Sequence, residues 1–270
     1  MMHTLYRPRP PLDRLVESLW VSDNYVGQAP RQRVLPTGTQ ALVVPLGESP
    51  VRIYASESTS ESTDVSGAIL CGARSSPLII GPSLGPTVGV KFRPGGALPF
   101  FDVPADALAD QTLSLEALWG TSSRSLRERL MEAPTPAERV HLLETALLQS
   151  ARRSFELSPA LRVSLSAFEE PDLPSVAEVN RRTGLSPKRL LALFREHVGL
   201  SPKAFWRVRR FRAALHDLER GALRGAALAS EHGYFDQAHF IREFRALAGS
   251  SPREYLAARI ADTDHVMVYR

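Results

Sequence analysis

Ten cationic side chains fall between residues 181 and 212: Arg181, Arg182, Lys188, Arg189, Arg195, Lys203, Arg207, Arg209, Arg210 and Arg212, against the single acid Glu196. So dense a cluster repels itself unless a polyanion compensates it, which makes nucleic acid the leading partner and a solvated basic helix face the plainer alternative. Catalytic chemistry has little material. Residues 1–150 hold two histidines, His3 and His141, short of the imidazole or histidine–carboxylate set that would hold iron or manganese in a β-barrel enzyme. Cys71, the one cysteine, can close no intrachain disulfide and has no Cys-x-x-Cys partner for zinc. Arg74 is the only cation nearby that could activate it as an alkyl acceptor, and a buried apolar thiol is the favoured reading. No catalytic residue, metal or cofactor is assigned.

These residues must be positioned by a chain of 270 residues, which at roughly 100–200 residues per domain suggests two domains. Hydrophobic residues at 43% and charged residues at 23% are ordinary globular values. No apolar run approaches the roughly 18 residues of a spanning helix, and the start, with Arg7, Pro8, Arg9, Pro10 and Pro11, has no signal-peptide core, so the expected location is cytoplasmic, without a membrane partner. The net charge of +4 is uneven. Residues 1–150 carry 13 Lys and Arg against 15 Asp and Glu, and the remainder carries 20 against 14.

The first 120 residues read as β-rich. Val88, Val90 and Phe92 alternate on one face of a strand, and Gln40 to Leu46 and Ser76 to Gly81 are short apolar runs bounded by Gly and Pro. Ser56 to Ser66 reads as a mobile loop or long hairpin connection. From about residue 121 the spacing becomes helical, at Leu126 and Leu130 and again at Val140, Leu143 and Leu147, with Pro134 and Pro136 separating two helices. Packing within the chain and a dimer seam are both open for this pair. The rest, to about residue 260, is predicted all-helical.

The C-terminal half repeats itself at an offset of 50 residues, aligning Leu190 with Phe240, Phe194 with Phe244, Arg195 with Arg245, Gly199 with Gly249, Ser201 with Ser251, Pro202 with Pro252 and Phe205 with Tyr255. Each copy reads as a helix-turn-helix. In the first, a helix over Val176 to Thr183 stops at Gly184, and Ser186 caps the next with Pro187 at its first position. In the second, Gly233 makes the turn and Asp236 the cap. Leu190, Leu193 and Phe194, like Phe240 and Phe244, share one face at spacings of three and four, which leaves the opposite face free. A long helix capped by Ser201 joins the copies, with Phe205, Val208, Phe211, Leu215 and Leu218 inward and Arg207, Arg209 and Arg210 mostly off that stripe. Were that connector to hold the copies about 34 Å apart, both reading helices could enter successive major grooves.

GLSPKRLLALFREHVGLSPKAF followed by GYFDQAHFIREFRALAGSSPREYL resembles the double helix-turn-helix module of the AraC/XylS transcriptional regulators, over about residues 157–260. The resemblance implies an α+β chain with a β-barrel or cupin-like sensor domain at 1–120, a helical linker and dimerisation segment at 121–156, an all-α DNA-binding domain at 157–260 and a tail at 261–270. YRPRPPLDRLVESLW and VGVKFRPGGALPFF are similar to N-terminal domains attached to such modules. It implies no enzyme, double-stranded DNA as partner, RNA polymerase, a small-molecule effector and a second copy of the chain as further partners, and recognition helices at about 187–198 and 237–248. Three departures stand out in the supporting and reading helices, beginning with Ala192 where the family often has arginine and Asn180 in place of alanine. Gly225 replaces an apolar residue and is predicted to weaken its helix by roughly 1 kcal/mol. The two units are therefore predicted to contribute unequally.

On the free faces, Lys188, Leu191 and Ala192 in the first reading helix and Gln237, Ala238, Ile241 and Arg242 in the second are predicted to meet base edges. Arg242 suits guanine, Gln237 adenine, and Ala192, Ala238 or Ile241 thymine methyls. Arg189, Arg195, His239 and Arg245 are predicted phosphate neighbours, with Arg207 and Arg210 adding attraction. In the first domain, Arg33 and Arg93 could meet an anionic effector and Trp20, Tyr54 and Phe92 could stack on one. A pure protein-interaction module, or a scaffold binding DNA without sequence preference, stays open as the alternative function.

Overall fold

A computed structural model of the chain describes residues 3–22, 30–81, 85–259 and 265–268. Its first part holds strands β1 (His3–Tyr6), β2 (Val16–Ser22), β3 (Arg31–Val34), β4 (Ala41–Pro45), β5 (Val51–Tyr54), β6 (Ser62–Val65), β7 (Ile69–Cys71), β8 (Leu78–Ile80) and β9 (Thr87–Phe92), then helix α1 (Leu98–Phe101), strand β10 (Thr112–Ser114) and helix α2 (Glu116–Trp119). Helices follow: α3 (Thr121–Glu132), α4 (Pro136–Ser150), α5 (Pro159–Ala167), α6 (Val176–Thr183), α7 (Pro187–His197), α8 (Pro202–Arg220), α9 (Gly225–Glu231), α10 (Gln237–Ala248) and α11 (Pro252–Ala258), with strand β11 (His265–Val268) last. The architecture is an N-terminal antiparallel β domain followed by a helical helix-turn-helix region.

The strands form two antiparallel sheets, ordered β1-β2-β9-β4-β7-β10 and β11-β3-β8-β5-β6. Period-two alternation decides which face of the first sheet is apolar: Leu19, Leu42, Val44, Leu70, Val88, Val90 and Phe92 all enter one buried cluster. What covers that face is helical. Leu126 and Leu130 of α3 and Val140, Leu143 and Leu147 of α4 are buried in the same cluster, so the apolar stripes of this pair are satisfied within the chain. Glu144 of α4, also buried, accepts a hydrogen bond from the backbone N–H of Arg9 at 2.8 Å. The polar stretch at 56–66 is a hairpin whose return arm is β6, held to β5 in the register Arg52↔Asp64 and Ile53↔Thr63.

The helical region closes around a second core in which Phe194, Phe205, Phe211 and Phe244 are essentially sealed from solvent. Their rings meet edge-on, with Phe194–Phe205 centroids 5.7 Å apart and Phe211–Phe244 5.2 Å, the geometry the ring quadrupole favours. Fully burying each such side chain contributes about 1.5–3 kcal/mol.

The two cores touch. Leu35 and Ala73 of the β domain belong to the helical cluster. A Cβ on Gly38 would lie 3.1 Å from Phe205, and one on Gly199 would lie 2.7 Å from the carbonyl oxygen of Ala105. Close approach of this kind is available only where no side chain intervenes. The sequence reading of 261–270 as a tail is also revised over its described part, because β11 pairs antiparallel with β3, in the register His265↔Val34 and Val268↔Arg31. The edge of β3 offers unpaired backbone groups that composition alone does not reveal.

Candidate nucleic-acid interface

Both helix-turn-helix units form as local chemistry dictates. In the first, α6 ends on Gly184 at φ 67°, and α7 starts where the Ser186 side chain accepts from the Arg189 N–H. In the second, Gly233 turns at φ 65° and the Asp236 carboxylate accepts from the His239 N–H. Leu190 and Phe194 of α7, and Phe240, Phe244, Leu247 and Ala248 of α10, are the buried positions. The opposite faces look outward: Lys188, Arg189, Ala192 and Arg195 on α7, and Gln237, Ala238, Arg242 and Arg245 on α10, are exposed. Leu191 is half-buried, and Ile241 rests part of its side chain on the helical core.

The 19-residue connector α8 spans about 28 Å at 1.5 Å per residue. Ser201 caps it and Gly221 ends it in the left-handed conformation. Its inward stripe includes Arg210, which the sequence reading placed outside as a source of DNA attraction. Arg210 is only 7% exposed. Its guanidinium lies 4.0 Å from the ring centre of Tyr234 and 4.3 Å from that of Trp206, donates to the Gly233 carbonyl at 3.2 Å, and comes within 3.5 Å of Glu243. Position 210 stands four residues before buried Ala214 and eight before Leu218, so helical periodicity does admit it to the buried face.

Arg207 is likewise engaged, donating through Nε and Nη2 to the two Glu243 oxygens at 2.8 and 2.9 Å. Burial works against the Glu243 charge, but hydrogen bonds and charge from Arg207, with Arg210 behind it, outweigh burial and hold the carboxyl below its usual range. Tyr234, desolvated by burial and only partly relieved by Arg210, is pushed up to about 12. Arg207, Arg210 and Glu243 thus fasten α8 to the second reading helix.

Other cations of the cluster are neutralised by acids from outside it. Arg181 pairs with Glu178, and Arg182 with both Glu178 and Glu170. Arg209 donates to the Phe168 carbonyl at 3.3 Å. Among the described residues, Lys188, Arg189, Arg195 and Lys203 remain exposed without an ion pair, joined by Arg242 and Arg245 from the second unit. His239 is only partly available for a phosphate, because its ring Nδ1 accepts the Phe235 N–H at 3.2 Å.

The departures also take definite positions. Gly225 opens α9 at φ 58° rather than lying inside it, a conformation that favours glycine, so the helix-interior penalty predicted from sequence does not apply. Asn180 donates to the Val176 carbonyl at 3.1 Å, while its buried Oδ1 has no partner among the described residues. Sequence reasoning missed Phe235, which stands at the mouth of α10 with 91% exposure. A residue preceding an N-cap ordinarily packs down on the first turn as a hydrophobic staple. Here Tyr234 takes that place against Phe240, with ring centres 5.1 Å apart, and the Phe235 ring is left outside. An aromatic directly before a capping Asp is the sequence signal that could have flagged it.

The five residues proposed for an effector do not share one site. Phe92 is fully buried, 5.6 Å from Phe100 and 5.7 Å from Phe101. Arg33 is buried and bound through Nε and Nη2 to the Glu57 carboxylate. Arg93 is exposed and donates to the Asp13 carbonyl at 3.1 Å. Trp20 lies on the other face of the first sheet, over Gly89, and Tyr54, on the second sheet, carries Arg31 4.0 Å from its ring centre. Alternation sends Phe92 and Trp20 to opposite faces, and sequence adjacency to a turn says nothing of convergence. Cys71 is held up by burial, only weakly countered by Thr112 and Arg74, which disfavours the thiolate an alkyl acceptor needs.

Residues 179–258 match the family described as a helix-turn-helix domain, and residues 4–114 match a domain of unknown function, DUF6597. No curated protein matches the chain. Among solved structures, apo ToxT from Vibrio cholerae is similar at 10% identity, over 88% of this chain and 97% of that one, with a TM-score of 0.49. ToxT bound to an unsaturated fatty acid gives 10% identity, 89% and 95% coverage and a TM-score of 0.48. The AraC-like transcriptional activator CuxR gives 16% identity, 80% coverage of each chain and a TM-score of 0.27. The matched helix-turn-helix segment takes in α7, α8 and α10, the elements that carry the exposed faces just described. Among the described residues no helix is long and apolar enough to cross a membrane.

Proposed function

We propose that the protein is a sequence-specific DNA-binding transcription regulator that sets α7 and α10 in successive major grooves. The observation that carries this reading is the repeat itself: two capped reading helices, each sealed on one side by a Phe-based core and exposed on the other, joined by one continuous helix. Lys188, Leu191 and Ala192 would read bases from the first unit, and Gln237, Ala238 and Arg242 from the second, with Ile241 at the edge of the contact. Arg189, Arg195 and Arg245 are the phosphate contacts, and Arg207 and Arg210 hold the frame instead. The exposed Phe235 ring adds an apolar contact to a thymine methyl or a deoxyribose.

The β domain supplies control, through a small molecule or through self-association of two chains, and RNA polymerase is the natural partner of the DNA-bound form. Control is a coupling free energy, and the packing of Leu35, Ala73 and Gly38 against the helical region, with Gly199 of that region against Ala105, supplies its route. Selection of random duplexes by the full-length protein at two salt concentrations tests the reading. The expected outcome is a two-box motif with centres one helical turn apart, and loss of preference at one base pair in Arg242→Ala, at a cost of about 1–3 kcal/mol. Salt-sensitive retention with no enriched motif would replace it by the non-specific scaffold.

A further inference from the structure

A cleft of about 530 Å³ opens on the second sheet, between the β5–β6 hairpin and the segment that leads into β8. Its polar lining comes from Tyr54, Glu61, Ser62, Thr63, Arg74 and Ser76, and the rest is mainly aliphatic. None of the residues proposed for DNA belongs to it.

Arg74 is the anomaly of this cleft. Its Nε is buried without an acceptor, and among the described residues its guanidinium makes no hydrogen bond or ion pair. Burial pulls its pKa down, opposed only by the more distant charges of Asp110 and Cys71. Asp110 is committed elsewhere: it accepts from the Ser75 N–H at 3.0 Å, the Ser75 hydroxyl at 3.2 Å and the Ser76 hydroxyl at 3.4 Å. The buried Arg33 and Arg210 have acceptors for other guanidinium nitrogens, Arg33 from Glu57 and Arg210 from Gly233 and Glu243, although Arg210 also leaves its Nε unpaired. A half-buried guanidinium whose Nε has no partner costs folding energy, and its rigid fork of donors fits a carboxylate or phosphate.

We propose that this cleft binds a small organic anion bearing hydroxyl groups, with Arg74 holding the carboxylate or phosphate and Glu61 accepting from a hydroxyl. Glu61 lines the cleft and is exposed, so a ligand carrying hydroxyl donors gains a contact there that a bare anion lacks. The site is placed to matter for DNA binding, because Ala73, the residue before Arg74, is sealed in the helical core beside Leu35. In that respect it deepens the reading of ligand control above and rests on it.

The test is calorimetric titration of the full-length protein with malate, citrate, glucose 6-phosphate and inorganic phosphate at constant ionic strength. At least one hydroxylated anion is expected to bind with a Kd of about 1 mM or tighter, and the carboxylate and phosphate arms separate the two classes. Arg74→Met should weaken that binding at least about tenfold, as loss of a charge-assisted pair does. Without anion the same variant should melt at or above the wild-type temperature, since it removes an unpaired charge. Arg74→Lys should retain part of the affinity. The proposal is overturned if all four anions fail to bind, if Arg74→Met binds as well as wild type, or if Arg74→Met melts lower and so reveals a structural cation. Duplex selection on the same preparation keeps the two readings apart. A protein that binds the anion but enriches no motif retains the site and loses the regulator, and one that enriches a motif but binds no anion does the reverse.

Discussion

Replacing Arg210 with alanine separates a framework cation from a DNA-binding one. The guanidinium lies between the Tyr234 and Trp206 rings at 4.0 and 4.3 Å and donates to the Gly233 carbonyl at 3.2 Å. Two desolvated cation–π contacts at about 1 kcal/mol each, and one charged hydrogen bond at about 1.5 kcal/mol, amount to roughly 3–4 kcal/mol. Glu243 is not orphaned, because Arg207 still donates to both its oxygens at 2.8 and 2.9 Å, so the larger penalty for a stranded buried charge does not arise. Urea denaturation of Arg210→Ala should therefore show a loss of about 3 kcal/mol. Under conditions where the variant is folded, the slope of log K against log salt for DNA should stay at the wild-type value. Arg245→Ala, at an exposed site without an ion pair, should do the opposite, lowering the slope by about 1 at unchanged stability. A stable Arg210→Ala protein with a lowered salt slope would refute the assignment and return Arg210 to the phosphate contacts.

Phe235→Ser should leave stability within about 0.5 kcal/mol, since the ring is 91% exposed, yet weaken duplex binding several-fold in a fluorescence titration; unchanged affinity and motif would take the ring out of the interface. His197 sits where a Cβ on Gly95 would touch it at 3.7 Å, and burial depresses its pKa from the ordinary 6.5, with Glu196 raising and Arg153 lowering it. The unfolded chain therefore binds that proton more readily, so this contribution to stability is full above pH 6.5 and is lost as pH falls below it. Thermal melts from pH 8 to 5 should show a shallower acid loss in His197→Gln than in wild type, and parallel curves would exclude His197. Gly199→Ala meets both a φ of 91° and a Cβ only 2.7 Å from the Ala105 carbonyl, and should cost about 2 kcal/mol or more in urea denaturation; a neutral result would show that the two domains part easily at this contact.

What the amino-acid sequence determined by itself is local. Ser186, Ser201, Asp236 and Ser251 cap the helices they precede, and Gly184, Gly233 and Gly249 take left-handed turns, because capping and φ > 0 depend on a few neighbouring residues. Spacing likewise fixed which faces of α7 and α10 are buried, and alternation fixed the inner face of β9, since helix and strand periods are properties of the backbone. The double repeat, and with it the likeness to AraC-type regulators, followed from these local signals. What only the tertiary structure decided is pairing at a distance. Ten cations in one window read as free charge, but Glu170, Glu178 and Glu243 lie outside that window and neutralise part of it. Trp20, Arg33, Tyr54, Phe92 and Arg93 look like one pocket on paper, and the pleat and the two-sheet order scatter them. Arg74 stands out in sequence only as a cation near Cys71, and its lack of a partner could not be read there, because an unpartnered charge is defined by what the rest of the chain fails to bring to it.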